Sequence, residues 1–240
     1  MTDECNIYGQ RVGYALENWT KRQIPPHTPL IGRYCRLEKL ENFHAAELYA
    51  AYSEAPDGRD WTYLFVGPFT DLTQYIDYVR KASTTLDPLH HAIIDSRTNK
   101  PVGTAALMRI DPDNGVAEIG HITYSPCLQR TRAGTEAVFL LMGRIFDELG
   151  YRRCEWKCDS LNTPSRRAAD RYGFKYEGIF RQAIIYKGRN RDTAWFSITN
   201  QEWPSIRSAF VKWLSPENFD QNGDQFKSLS TIRMSEVALV

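Results

Sequence analysis

The chain has 240 residues, 42% hydrophobic and 25% charged, with 15 Gly, 12 Pro and no low-complexity run, a balance that buries a core and excludes a disordered or collagen-like polymer. Lys plus Arg at 30 against Asp plus Glu at 29 leaves a net charge of +1, so bulk charge calls for neither nucleic acid nor a membrane, and any anion site must be local. No run approaches the ~18 apolar residues of a membrane helix and the first thirty residues lack the apolar block of a signal peptide, while five cysteines (5, 35, 127, 154 and 158) form an odd, scattered set of reduced thiols, all of which points to the cytoplasm.

In chain order, residues 1–29 are polar and end in the proline-rich IPPHTP, an extension leading into a domain at 30–214. Within that domain, strands are predicted near 31–38, 90–95, 101–110, 115–124, 152–158, 178–187 and 192–199, with helical patterns between several of them; the class is mixed α/β. Between the first two strands, DGRDWT at 57–62 opens an aromatic cluster of Trp61, Tyr63, Phe65, Phe69 and Tyr75, which suits either a core or the wall of a substrate site. The clearest helix spans about 132–149, where Val138, Leu141, Met142, Ile145 and Leu149 share one stripe and Gly150 stands where a C′ glycine is expected. Next, Cys154 and Cys158 alternate with Glu155 and Lys157 around Trp156 as in a strand, and no partner pair completes a metal site. Asn162 to Tyr172 reads as a short helix with Pro164 in its first turn and Gly173 closing it, and a hairpin turns at Gly188-Arg189-Asn190. Residues 215–240, rich in turn formers, read as a tail.

The segment that carries chemistry is AEIGHITYSPCLQRTRAGTEA at 117–137. A strand runs through a short loop into the best helix, so the loop presents that helix's free N–H groups and positive dipole end, a ready anion site. Arg130 and Arg132 add charge, and Ala133, Gly134 and Ala137 permit close approach, which suits a pyrophosphate; a capped core helix with solvated arginines would show the same pattern.

Several segments in fixed order then resemble the GCN5-related N-acetyltransferase (GNAT) superfamily, nearest to its ribosomal-protein alanine acetyltransferase branch. QRTRAG at 129–134 resembles the superfamily's Q/R-x-x-G-x-G/A loop, NTPSRRAADRYGF at 162–174 matches the branch's Asn, Ser, Gly and Phe in register, and YEGIFRQA with RNRDTAWFSI resembles its closing strands. The likeness covers about residues 30–200. It implies a mixed central sheet splayed between two strands with helices on both faces, and an enzyme that moves an acetyl group from acetyl-CoA to a primary amine, with no metal. It also implies that Ile122, Thr123 and Tyr124 on the splayed strand, Gln129, Arg130, Thr131, Arg132, Ala133, Gly134 and Thr135 of the loop, and Asn162 and Ser165 bind the cosubstrate. Two departures stand out: Arg132 replaces the loop's first glycine, and Ala169 stands where many members carry a tyrosine acid.

The chemistry of acetyl transfer says which groups are needed, and the resemblance suggests which residues supply them. An amine of pKa near ~10 must lose a proton, and the resemblance makes Glu118 the first candidate base, since it stands where a Glu serves as base in histone-modifying relatives and burial there raises a carboxylate toward neutrality; a Glu paired with a neighbouring Arg within the sheet is the alternative. His121 is the second, but strict alternation puts it on the opposite face unless a bulge intervenes. Charge developing on the thioester oxygen calls for donors from strand 121–124. The leaving thiolate needs a proton, for which the resemblance to the ribosomal branch implies Ser165, although Asn162 and Ser165 equally suit a helix cap. Cys127 lacks a suitably spaced His and reads as a small buried thiol rather than a nucleophile. The acceptor is either a protein N-terminal α-amine or a small-molecule amine, and the alternative is an acyl-CoA-binding protein without turnover.

Overall fold

A computed structural model of the chain describes residues 4–237. Its strands and helices are β1 (Glu4–Cys5), β2 (Arg11–Val12), β3 (Leu30–Ile31), β4 (Cys35–Lys39), α1 (Ala45–Ser53), α2 (Leu72–Ala82), β5 (Leu89–Asp95), β6 (Pro101–Asp111), β7 (Val116–Tyr124), α3 (Arg132–Gly143), β8 (Arg153–Asp159), α4 (Thr163–Tyr172), β9 (Lys175–Tyr186), β10 (Arg189–Thr199), α5 (Trp203–Leu214) and α6 (Leu229–Val237). The strands predicted from alternation are present, except that the one near 31–38 is broken at 32–34 into β3 and β4, which pair antiparallel. The predicted helix over 132–149 is α-helical only to Gly143 and continues as a π-turn over Arg144–Glu148 before Gly150 ends it at φ +62. The β9–β10 hairpin turns one residue earlier than expected, on Lys187 and Gly188, both at positive φ as a type I′ turn requires.

Eight strands form one sheet in the order β3-β4-β5-β6-β7-β8-β10-β9, antiparallel except for β7 and β8. That pair is parallel because α3 crosses over between its strands, and it is short: Val116, Ala117 and Glu118 pair with Arg153, Cys154 and Glu155, and then the strands part. Helices cover both faces. On one, Ala117, Ile119, Ala137, Leu141, Cys154, Trp156, Phe196 and Phe210 join α3, α4 and α5 into the larger core. On the other, Ala92 and Ile94 pack against Leu48, Tyr52, Trp61, Tyr75 and Val79 of α1, α2 and the turn between them. The mixed, splayed sheet matches the fold class expected from the sequence.

Two bulges break the alternation beside the splay. In β7 the register moves from Ala106↔Gly120 to Thr104↔Thr123, so His121 and Ile122 lie opposite Ala105 alone, with His121 at φ +48. In β6 it moves from Met108↔Glu118 to Asp111↔Val116, with Arg109 at φ +48 and its amide held by Asp87 Oδ1 at 2.8 Å.

Segments on both sides of 30–214 lie against the domain. Trp19 Nε1 donates to Asp113 O at 2.7 Å, and Arg144 reaches Pro26 O and Thr28. Leu229 and Ile232 of α6 enter the larger core, and Arg233 donates to Asp170 O at 2.9 Å. Among the described residues, no helix is long and apolar enough to cross a membrane.

Candidate active site

β7 ends at Tyr124, and Ser125 turns the chain by accepting from the amides of Leu128 and Gln129. Arg130 takes the left-handed conformation at φ +59, and Thr131 caps α3 by accepting from Gly134 N at 3.0 Å while its hydroxyl donates to Leu128 O. The amides of Arg130, Thr131, Arg132 and Ala133 find no acceptor among the described residues, as expected for a helix start that awaits an anion. Gly134 is required here: a Cβ would lie 2.8 Å from Leu128 O and 3.0 Å from the Tyr124 ring. Tyr124 OH in turn donates to Gly134 O at 2.7 Å. One turn on, the buried Glu136 carboxylate accepts from the amides of Arg33, Tyr34 and Cys35 at 2.9, 2.6 and 2.8 Å, pinning α3 to the start of β4.

The loop's departures from the superfamily pattern have structural answers. Arg132 lays its guanidinium against the rings of Tyr34 and Phe219, 5.0 and 4.6 Å from their centroids, so the side chain that replaces a glycine is drawn aside by the C-terminal segment. Gln129 Nε2 donates to Asp60 Oδ2 at 2.9 Å and to Tyr124 O, tying the loop to the turn at 57–61. Thr135 Oγ1 accepts from Arg171 Nη1 of α4 at 3.1 Å.

Glu118 sits at the last paired position before the splay, almost fully buried. Its Oε2 lies 3.0 Å from both Arg109 Nη1 and Lys157 Nζ, and Lys157 also meets Glu155 Oε2 at 2.6 Å. Where the backbone ladder of β7 and β8 stops, this ion pair bridges the two strands. Burial raises the Glu118 carboxyl above its usual range, and Lys157 and Arg109 oppose that rise.

The bulge decides the position of His121. Alternation alone would turn it away from Glu118, but with the extra residue its ring lies 5.0 Å from that of His90, which pairs with Ala106 on the Glu118 face, and 6.5 Å from Phe65. Burial, and then Arg109, lower its pKa. Ser165 Oγ accepts from Trp156 Nε1 at 2.9 Å, and Asn162 Oδ1 accepts from Ser165 N as the cap of α4. Cys127 is exposed rather than buried, its Sγ 3.2 Å from Ser125 Oγ, whereas Cys154 and Cys158 face the larger core.

The aromatic cluster divides. Trp61, Phe69 and Tyr75 pack with Tyr52 and Tyr78 in the smaller core, and Tyr52 OH reaches Thr123 O just past the bulge. Phe65, 45% exposed, instead bridges the splay from His121 to Tyr186 and Arg191. Tyr63 OH donates to Leu161 O, and Lys187 Nζ to Trp61 O, so the segment 60–65 is tied down on three sides over the open end of the sheet. Sequence reading passed over Arg109, Lys157, His90 and Arg191. Lys157 carried a usable signal, since it alternates with Glu155 in β8; the others depend on bulges and pairings with no local mark. The arrangement can bind a diphosphate at the α3 terminus and handle a proton on the opposite face of the same splay.

A family model described as an acetyltransferase (GNAT) domain matches residues 35–175. The uncharacterized N-acetyltransferase p20 of Bacillus licheniformis is 32% identical over 174 residues, covering 70% of this chain and 93% of the relative. A crystal structure of a GCN5-related N-acetyltransferase from Brucella melitensis is 50% identical, covers 91% of this chain and 100% of its own, and superposes with a TM-score of 0.90. The Salmonella typhimurium acetyltransferase that modifies the N-terminal serine of ribosomal protein L7/L12 shares the fold at 18% identity and a TM-score of 0.59, over 72% of this chain and 99% of its own.

Proposed function

Because the chain belongs to the GNAT family and is an acyltransferase, we propose that it moves an acetyl group from acetyl-CoA to a primary amine by direct attack in a ternary complex in the cytoplasm, with 30–214 as the catalytic unit. The observation that carries this reading is the bulge at His121, which turns an imidazole onto the Glu118 face of the splay, while the α3 terminus offers four unbonded amides. The amides of 130–133, with Thr131, Thr135, Gln129 and the strand 122–124, would hold the coenzyme, which supplies the activated thioester. In the transfer a C–N bond forms and a C–S bond breaks, so one proton leaves the amine and one is needed at sulfur. We assign the first to His121, which burial keeps unprotonated at neutral pH and which is more open than Glu118. Glu118, paired with two cations, holds Arg109 and Lys157 in place beside it. Ser165 suits the second proton: its oxygen already accepts from Trp156, which leaves the hydroxyl hydrogen to donate.

Coenzyme A at 100 times its dissociation constant should stabilise the fold by about 2.7 kcal/mol, read as a thermal shift; no shift at millimolar coenzyme A overturns the cosubstrate assignment. Turnover with an amine panel then tests the base. His121→Ala should lose at least ~100-fold in kcat/KM together with the acidic limb of the pH profile, and unchanged rates in both His121→Ala and Glu118→Gln overturn the assignment.

A further inference from the structure

Arg191 is only 6% exposed, yet no carboxylate lies within ion-pair distance of it among the described residues. Its Nε donates to Thr193 Oγ1 at 3.2 Å, and its guanidinium stands 5.1 Å from the Phe65 centroid and 5.8 Å from that of Tyr186. Its terminal nitrogens make no hydrogen bond among the described residues. The charged neighbours are already engaged: Asp159 accepts from Tyr186 OH and from the Leu161 amide, both at 2.8 Å, and Lys187 donates to Trp61 O. A buried, unpaired guanidinium is costly, and a planar fork set beside aromatic rings is suited to recognise a carboxylate with two parallel N–H bonds.

Its position says what the carboxylate belongs to. Thr193 and Asp159 pair across β10 and β8 on the side of the sheet that carries Lys157 and Glu118, the side of α1 and α2, away from α3 and its diphosphate loop. The Phe65 centroid lies 6.5 Å from that of His121 and 5.1 Å from the Arg191 guanidinium carbon, so the proton acceptor and the cation flank the same ring.

We propose that Arg191 anchors the acceptor, binding a carboxylate that the amine substrate carries close to the nitrogen to be acetylated. The acceptor is then an amino acid or an N-terminal peptide with an acidic side chain, and a simple alkylamine is a poor substrate. This rests on the acetyltransferase reading above, and the test keeps the two apart by measuring binding as well as turnover.

Wild type, Arg191→Lys and Arg191→Gln are compared on free amino acids and their carboxamides, and on dipeptides whose second residue is Asp or Asn. Wild type should favour the carboxylate partner of at least one pair by about 30-fold or more in kcat/KM, chiefly through KM, with the pair identifying the source; Arg191→Gln should collapse that ratio toward one and Arg191→Lys keep part of it. Independently of turnover, N-acetylated amino acids added with coenzyme A should raise the melting temperature of wild type but not of Arg191→Gln, while both proteins keep the shift from coenzyme A alone. A wild type indifferent to the carboxylate in both assays, or an Arg191→Gln variant that keeps the preference, overturns the proposal. A chain that binds N-acetyl amino acids through Arg191 but acetylates no amine overturns the acetyltransferase reading and leaves the carboxylate site standing.

Discussion

Replacing Lys157 by Met removes a charge while keeping a chain of similar length, and the structure sets the scale of the result. Lys157 is 3% exposed in its side chain and links Glu118 and Glu155 at 3.0 and 2.6 Å, in an alternating line that runs from Arg109 through Glu118, Lys157, Glu155 and Arg153 to Glu177. The line carries three cations and three anions, so the loss of one central cation leaves two almost fully buried carboxylates sharing Arg109 and Arg153. Breaking a buried pair from one side costs about 3–5 kcal/mol. For a chain of this size, with about 3 °C per kcal/mol, the melting temperature at pH 7.5 should fall by about 9–15 °C. The sign of the pH dependence follows from Glu118, whose folded pKa already lies above its unfolded value. Lys157 lowers that pKa, so its removal raises it further; the folded state then binds the extra proton as pH falls, and the deficit should narrow from pH 7.5 toward pH 5. Thermal unfolding followed by circular dichroism across that range is the assay, with Glu118→Gln and the double variant closing a cycle. A deficit under about 2 °C, or one that widens on acidification, would refute the description of this line as a coupled, strand-bridging network.

Other expectations follow from single contacts. Gly134→Ala should abolish the coenzyme A thermal shift and cost about 1–3 kcal/mol, because the clashing atom, Leu128 O, is backbone and cannot move aside. Glu136→Ala strands three amides at the start of β4 and should cost about 3 kcal/mol or more by urea unfolding, with Glu136→Gln recovering part, since one amide oxygen still accepts. Burial pushes His90 and His91 down to about 4 each, so the folded state binds fewer protons than the unfolded one below pH ~6.5, and stability should fall as pH drops from there toward 4; His91→Leu, at a buried ring whose Nδ1 has no hydrogen-bond partner among the described residues, should flatten that slope. Ser165→Ala should slow transfer while leaving the coenzyme A shift intact, and equal losses in both would mean that the hydroxyl only supports Trp156.

The sequence by itself determined the strands, the strand-loop-helix at 117–149 and the capped helix from Asn162 to Gly173. Their physical causes are local: alternation, a periodic apolar stripe, Thr131 and Asn162 as caps, and glycines where the backbone must turn left-handed. Helices α1, α2, α5 and α6 were not delimited, since their stripes are short or broken by aromatics and their stability comes from the faces they cover. Half of the candidate site was likewise beyond reach. Alternation assigned His121 to the wrong face because a bulge is chosen by the pairing of β6 with β7, not by residues 117–124 alone. Lys157 became a bridge only where β7 and β8 part, and Arg191 an unpaired cation only once Phe65, Tyr186 and Asp159 had gathered around it from distant segments. Local patterns record which backbone each segment prefers; which charges meet, and which is left without a partner, depends on register and burial that exist only in the assembled sheet.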